Sequence, residues 1–193
     1  MKLRVSSDNR SGSVSVKVGK PDAREESYNI DPSKRYVKIA RTLSQRAGSG
    51  AGEIVSTVET SSEYVGFQRD SYECDSLNFK SVGTIKLPAD AAAQALGVVH
   101  DSISMGFRVE KPCKVRLVAT ALSDMDVAEI RLEGPSFERP VRVFDEFDDT
   151  LDLAKPGEHY LKGAYQLSVR TPNPSLGGRP LAVEIMATLT PEQ

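Results

Sequence analysis

Ile103-Ser104-Met105-Gly106-Phe107-Arg108-Val109 and, after Glu110-Lys111-Pro112, Cys113-Lys114-Val115-Arg116-Leu117-Val118-Ala119-Thr120-Ala121 form the stretch that decides the fold. Ile103, Met105, Phe107 and Val109 fall on alternate positions, and Cys113, Val115, Leu117, Ala119 and Ala121 repeat the pattern. A period of two puts one set of side chains on one face of a β-strand, so each run predicts a strand with one buried and one wetted side. Lys111-Pro112 separates them, because proline offers no N–H to a sheet ladder.

Downstream, the same rhythm recurs at Val127–Leu132, Val141–Phe144, Tyr165–Val169 and Leu181–Ile185, punctuated by Pro, Gly, Asp and Asn. Upstream, Leu77, Phe79, Val82, Ile85 and Leu87 mark one or two strands, and Ile54–Val58 and Tyr64–Phe67 are short candidates. Many short alternating strands with almost no helix predict an all-β fold, an antiparallel β-sandwich of jelly-roll or Ig-like type. The one helix expected is short, over residues 88–97. It has Pro88 and Asp90 near its start, an Ala-rich middle, and Gly97 where a C-terminal cap belongs. No fixed-period repeat is visible, which argues against propellers and solenoids.

The first fifty residues read differently. They hold eleven Lys/Arg against five Asp/Glu, whereas residues 51–193 hold fourteen against twenty-two, and the whole chain carries −2. Leu3-Arg4-Val5 and Ser13–Val18 alternate around the turn-rich Ser6–Gly12, which suggests a small hairpin. A polar connector runs from Gly19 to Lys34, Tyr36–Ile39 could add a strand, and Ala47-Gly48-Ser49-Gly50-Ala51-Gly52 is the most linker-like hexamer. The expected division is therefore a basic N-terminal arm, 1–50, and a sandwich body, 51–193. A leader this polar cannot build a core of its own. Ordering it costs roughly 1–2 kcal/mol of backbone entropy per residue, which contacts elsewhere must offset.

Function must be read from architecture, because no motif specifies a reaction. His100 and His159 are the only histidines, and His100-Asp101 invites a catalytic reading. A hydrolytic triad also needs a nucleophile on a sharp turn, however, and no Gly-x-Ser-x-Gly element exists. Asp145-Glu146-Phe147-Asp148-Asp149, with Asp152 close by, is the best ligand candidate, since calcium takes six to eight oxygens. Phe147 interrupts it and the EF-hand spacing is missing, so the plainer expectation is a solvated loop or a docking patch for basic residues. Asp124, Asp126 and Glu129 form a looser acidic group of the same kind. Lys34, Arg35, Lys38, Arg41 and Arg46 are the densest basic stretch. Nearby acids dilute it below the concentrated field that nucleic acid requires, which leaves protein docking or a merely solvated segment.

Cys74 and Cys113 have neither metal spacing nor disulfide density and read as reduced thiols, with a single disulfide between them as the alternative. No apolar run approaches the ~20 residues that span a bilayer, and the N-terminus lacks the features of a secretory signal. Leu161-Lys162-Gly163-Ala164-Tyr165-Gln166-Leu167-Ser168-Val169-Arg170 resembles the closing strands of bacterial pre-peptidase C-terminal domains. The Asp-rich aromatic strand of that family is not evident, and membership is not claimed.

Taken together, these features predict a non-enzymatic structural protein of a virus particle: a phage capsid, decoration or tail component. It would be assembled in the host cytoplasm and need no cofactor. Its partners would be other copies of itself and other particle proteins, with the basic arm gripping acidic segments such as Asp145–Asp149. The alternative expectation is a ligand-binding or adhesion sandwich, calcium- or carbohydrate-dependent.

Overall fold

Alternation in the sequence becomes two stacked antiparallel sheets. The computed structural model describes residues 2–18, 23–31, 37–88, 94–124, 127–171 and 179–192. Among them the strands are β1 (Leu3–Val18), β2 (Ala23–Asn29), β3 (Lys38–Ala47), β4 (Ile54–Val65), β5 (Glu73–Cys74), β6 (Ser76–Lys86) and β7 (Ala95–Val109). They continue with β8 (Cys113–Ser123), β9 (Ala128–Glu133), β10 (Val141–Val143), β11 (Glu146–Leu153), β12 (Gly157–Arg170) and β13 (Leu181–Pro191). Sheet 1 runs β10-β9-β12-β7-β1-β2, with β5 on one end of β1; sheet 2 runs β11-β8-β13-β6-β4-β3. The chain changes sheet at most connections, so β6 lies over β7, β8 over β9 and β12 over β13. This is the wrapping of a jelly roll.

The expected alternation decides which side chains enter the core. On β7, Val99, Ile103, Met105 and Phe107 are fully buried, and Leu117 on β8, Phe79 and Ile85 on β6, and Leu167 on β12 belong to the same buried cluster. Each such side chain contributes about 1.5–3 kcal/mol when removed from water. Gly163 admits Phe79: a Cβ there would stand 2.6 Å from the ring's Cζ.

Four expectations are corrected. The leader is not a separate arm. β1 lies between β7 and β2 in sheet 1, paired with β7 from Arg4 to Val18, and Leu3, Val5, Val14 and Val16 are buried. The proposed hairpin over residues 3–18 is one strand instead, with a bulge between Val5 and Ser7. Ser6–Gly12 looks like a turn only because polar Asp8 and Arg10 and side-chain-free Gly12 occupy its inward positions. Nor does Ala47–Gly52 separate two units, for it is the turn that joins β3 to β4 within one hairpin.

The helix expected over 88–97 does not reach its expected end. Residues 89–93 lie outside the described residues, and Ala95–Gly97 open strand β7. Gly97 caps nothing. A Cβ on it would sit 2.7 Å from Cγ2 of Ile85, so the residue lets the sheets approach. Among the described residues no helix is long and apolar enough to cross a membrane.

Candidate functional site

The basic and acidic stretches singled out in the sequence become the two opposite edges of sheet 2. Lys38, Arg41 and Arg46 lie on β3, and Glu146, Asp148, Asp149 and Asp152 lie on β11. Among the described residues each of these strands is paired on one side only, β3 with β4 and β11 with β8. Lys34 and Arg35 lie outside the described residues. The acidic segment is therefore a strand rather than a loop. That matters for calcium, because successive side chains of a strand point to opposite faces. Glu146, Asp148 and Asp152 share the outer face with one another, while Asp149 points inward beside half-buried Phe147 and Leu151. Among the described residues no group of three His, Cys, Asp or Glu side chains is placed to hold a metal ion.

The edges are built alike. β3 turns Ile39 and Leu43, both buried, toward the core, with Arg41 exposed between them on the same face. Among the described residues Arg41 has no ion-pair partner, whereas Lys38 reaches Glu63 at 3.4 Å and Arg46 reaches Glu53 at 3.8 Å. On β11 the Asp149 carboxylate accepts the N–H of Thr150, at 2.7 Å. Asp148 is held by Arg116, whose Nε and Nη2 each donate at 2.8 Å. That fork keeps the Asp148 carboxyl below its ordinary range, although both groups are exposed.

A second constellation lies at the centre of the core, and sequence reasoning missed it. Tyr28, Gly12, Asp101 and Tyr165 stand directly opposite one another across β2, β1, β7 and β12. Thr60 and Ser81, paired across β4 and β6, face them from sheet 2. Asp101 is fully buried. The hydroxyls of Tyr28 and Ser81 each donate to it at 2.5 Å, on different oxygens, and Tyr165 reaches Ser81 at 2.9 Å. Burial pushes the Asp101 carboxyl up, and the donors from Ser81, Tyr28 and Thr60 pull partly against that shift. The same burial, with Asp101 beside them, drives the phenols of Tyr28 and Tyr165 upward. A Cβ on Gly12 would stand 2.6 Å from Cε1 of Tyr28 and 2.7 Å from Oδ1 of Asp101, so only glycine leaves room for their bond. The cluster lies between the sheets, with Tyr28 half-buried at its rim, and ties edge strand β2 to the core. The signal was present in the sequence: Asp101 occupies an inward position between Val99 and Ile103.

The two histidines do not form a catalytic pair with their acidic neighbours. His100 and Asp101 are neighbours on one strand and face opposite ways, so they cannot act as a dyad. His159 is buried, stacked on Phe107 with ring centroids 5.6 Å apart. Its ring nitrogens meet the Gly157 carbonyl at 3.2 Å and the Ser136 hydroxyl at 2.9 Å. Burial lowers its basicity below the ordinary imidazole range. Cys74, buried, and Cys113, half-buried, are free thiols, and burial pushes the Cys74 thiol up to about 12. Shallow, open depressions of about 330 and 370 Å³ lie on sheet 2, bordered by Lys38, Glu59, Ser61, Glu63 and Lys80. Phe79, which borders the second, turns its ring into the core.

The fold and these edges define the class: an all-β, two-sheet sandwich with oppositely charged edges on one sheet. No family model and no curated protein matches the chain. Among solved structures it is similar to a family two carbohydrate esterase from Cellvibrio japonicus, at 12% identity and a TM-score of 0.22, covering 80% of this chain and 35% of that one. It is also similar to a GH31 alpha-xylosidase from Xanthomonas citri, at 9% identity and a TM-score of 0.21, covering 93% of this chain and 28% of that one. Likenesses this distant carry no argument about activity.

Proposed function

We propose that this is a non-enzymatic structural protein that works by assembling with copies of itself. One observation supports the reading: the free edges of sheet 2 carry opposite charge, Lys38, Arg41 and Arg46 on β3 against Glu146, Asp148, Asp149 and Asp152 on β11. Charged edges normally guard a sheet against pairing with its neighbours. Here each edge repels its own kind and attracts the other, which is specificity as well as protection. The arm on which the virus-particle setting rested is folded into the sheets. The proposal is therefore kept at the coarser level of a self-assembling structural protein, and the route of assembly moves from an arm to a strand edge.

Light scattering over a range of protein concentration and salt tests it. The mass should rise with concentration at low salt. It should fall back as added salt shortens the screening length from about 10 Å at 0.1 M to about 3 Å at 1 M. A monomer mass at every concentration and low salt would overturn the reading.

A further inference from the structure

Resting on that reading, we infer that the copies join head to tail, β3 of one adding to β11 of the next in one register, residues 37–44 against 153–146. Four independent features of the two edges agree on it.

The first is direction. Neighbouring strands of sheet 2 are antiparallel throughout, and its path holds six of them. With an even number, β3 and β11 run in opposite senses, so a second copy in the same orientation continues the antiparallel ladder across the junction. The path through sheet 1 also has six strands, which brings β2 and β10 to the same junction in the same relation.

The second is the backbone. In an antiparallel pair, alternate residues turn their N–H and C=O to one side. On β3 the N–H of Ser44 and the carbonyl of Arg46 are met by side chains of β2, Glu26 at 3.2 Å and Arg24 at 3.4 Å, while the Val37 carbonyl is taken by Tyr64 of β4. Even-numbered residues of β3 therefore face the free edge, and among the described residues β2 hydrogen-bonds to that edge at Ser44 and Arg46. On β11 the Asp145 carbonyl is taken by Ala121 of β8, and the Thr150 N–H is left to the Asp149 side chain. Even-numbered residues face outward there too. The register sets Lys38, Ala40, Thr42 and Ser44 against Asp152, Thr150, Asp148 and Glu146, even against even, as hydrogen bonding demands.

The third is the inner face. Ile39 meets Leu151 and Leu43 meets Phe147, joining the cores of two copies through apolar pairs worth roughly 0.2–1 kcal/mol each. The fourth is charge. Arg41 meets Asp149, each being the lone charge between two apolar residues on the inward face of its strand, and on the outer face Lys38 meets Asp152. Sliding the register by two residues either way sets Arg41 against Phe147 or Leu151. Pairing β3 with β3, or β11 with β11, sets like charges together. A heterologous contact of this kind does not close on itself at two copies, and the twist of the sheets turns each added copy relative to the last. The product is an open, twisted row.

Charge exchange at the one inward pair tests the register. Arg41→Asp and Asp149→Arg alter exposed side chains and should leave thermal unfolding unchanged. Each alone should reduce association at least tenfold at low salt. Mixed in equal amounts they should co-assemble, because both junctions then bring Arg against Asp. A chain carrying both substitutions should assemble by itself. If the wild type assembles and Arg41→Asp assembles equally well, or if mixing rescues nothing, the register is wrong while the assembly reading stands. A wild type that stays monomeric under all conditions defeats both.

Discussion

A handful of inward-facing polar residues accounts for most of the difference between expectation and structure. Asp8 and Arg10 are both buried on β1, two residues apart and so on one face, with Arg10 Nε and Nη2 each 2.6 Å from an Asp8 oxygen. Read along the chain, that pair resembles a polar turn; between sheets it is a paired charge in the core. Asp101 is the same lesson in a stronger strand, where flanking valines and isoleucines made its inward position legible and only the habit of reading His100-Asp101 as a unit concealed it. Its raised basicity has a sign that can be followed. The folded carboxyl holds its proton to higher pH than the unfolded one, which titrates near 3.8. Between the two values the folded state binds more protons, so stability falls as pH rises through that window and then levels off. Asp101→Asn removes the titration. Urea midpoints at pH 4 and pH 7 should therefore show the wild type losing ground to the variant at the higher pH, whereas parallel changes would contradict the assignment.

At the level of elements, strands from Leu77 onward were legible because apolar residues fill their inward positions. The ends and joins were not. A single sequence does not say that a strand continues through Ala95–Gly97 or Ser6–Gly12, since alanine, glycine and paired charges satisfy an inward position only when the opposing sheet is known. Gly12 shows how closely the elements depend on one another: its missing side chain is what lets Tyr28 of β2 reach Asp101 of β7. Gly12→Val should push that tyrosine out at a cost of about 1–3 kcal/mol, the usual range for overpacking a filled site. The loss should be local as well as global, with the amides of Ala23–Asn29 exchanging faster than those of β7. Uniform exchange across sheet 1 would mean that β2 is not held by this contact.

For the molecule as a whole, the charge asymmetry read from the sequence was real but misassigned in space. Lys38, Arg41 and Arg46 are not on a limb extended from the sandwich; they lie along one side of it, with the acidic strand along the other. Composition revealed the two signs, and only the strand order showed that they terminate the same sheet. The fold class was thus readable from periodicity, while the edge pairing depended on topology, which periodicity does not carry. Amide hydrogen exchange of the wild-type protein at low and high concentration tests the central claim most directly. The backbone amides of Lys38, Ala40, Thr42, Asp148, Thr150 and Asp152 should gain protection as concentration rises. Those of Ile39 and Arg41, which already face β4, should not change. Growth in mass with no added protection at those six amides would contradict the account.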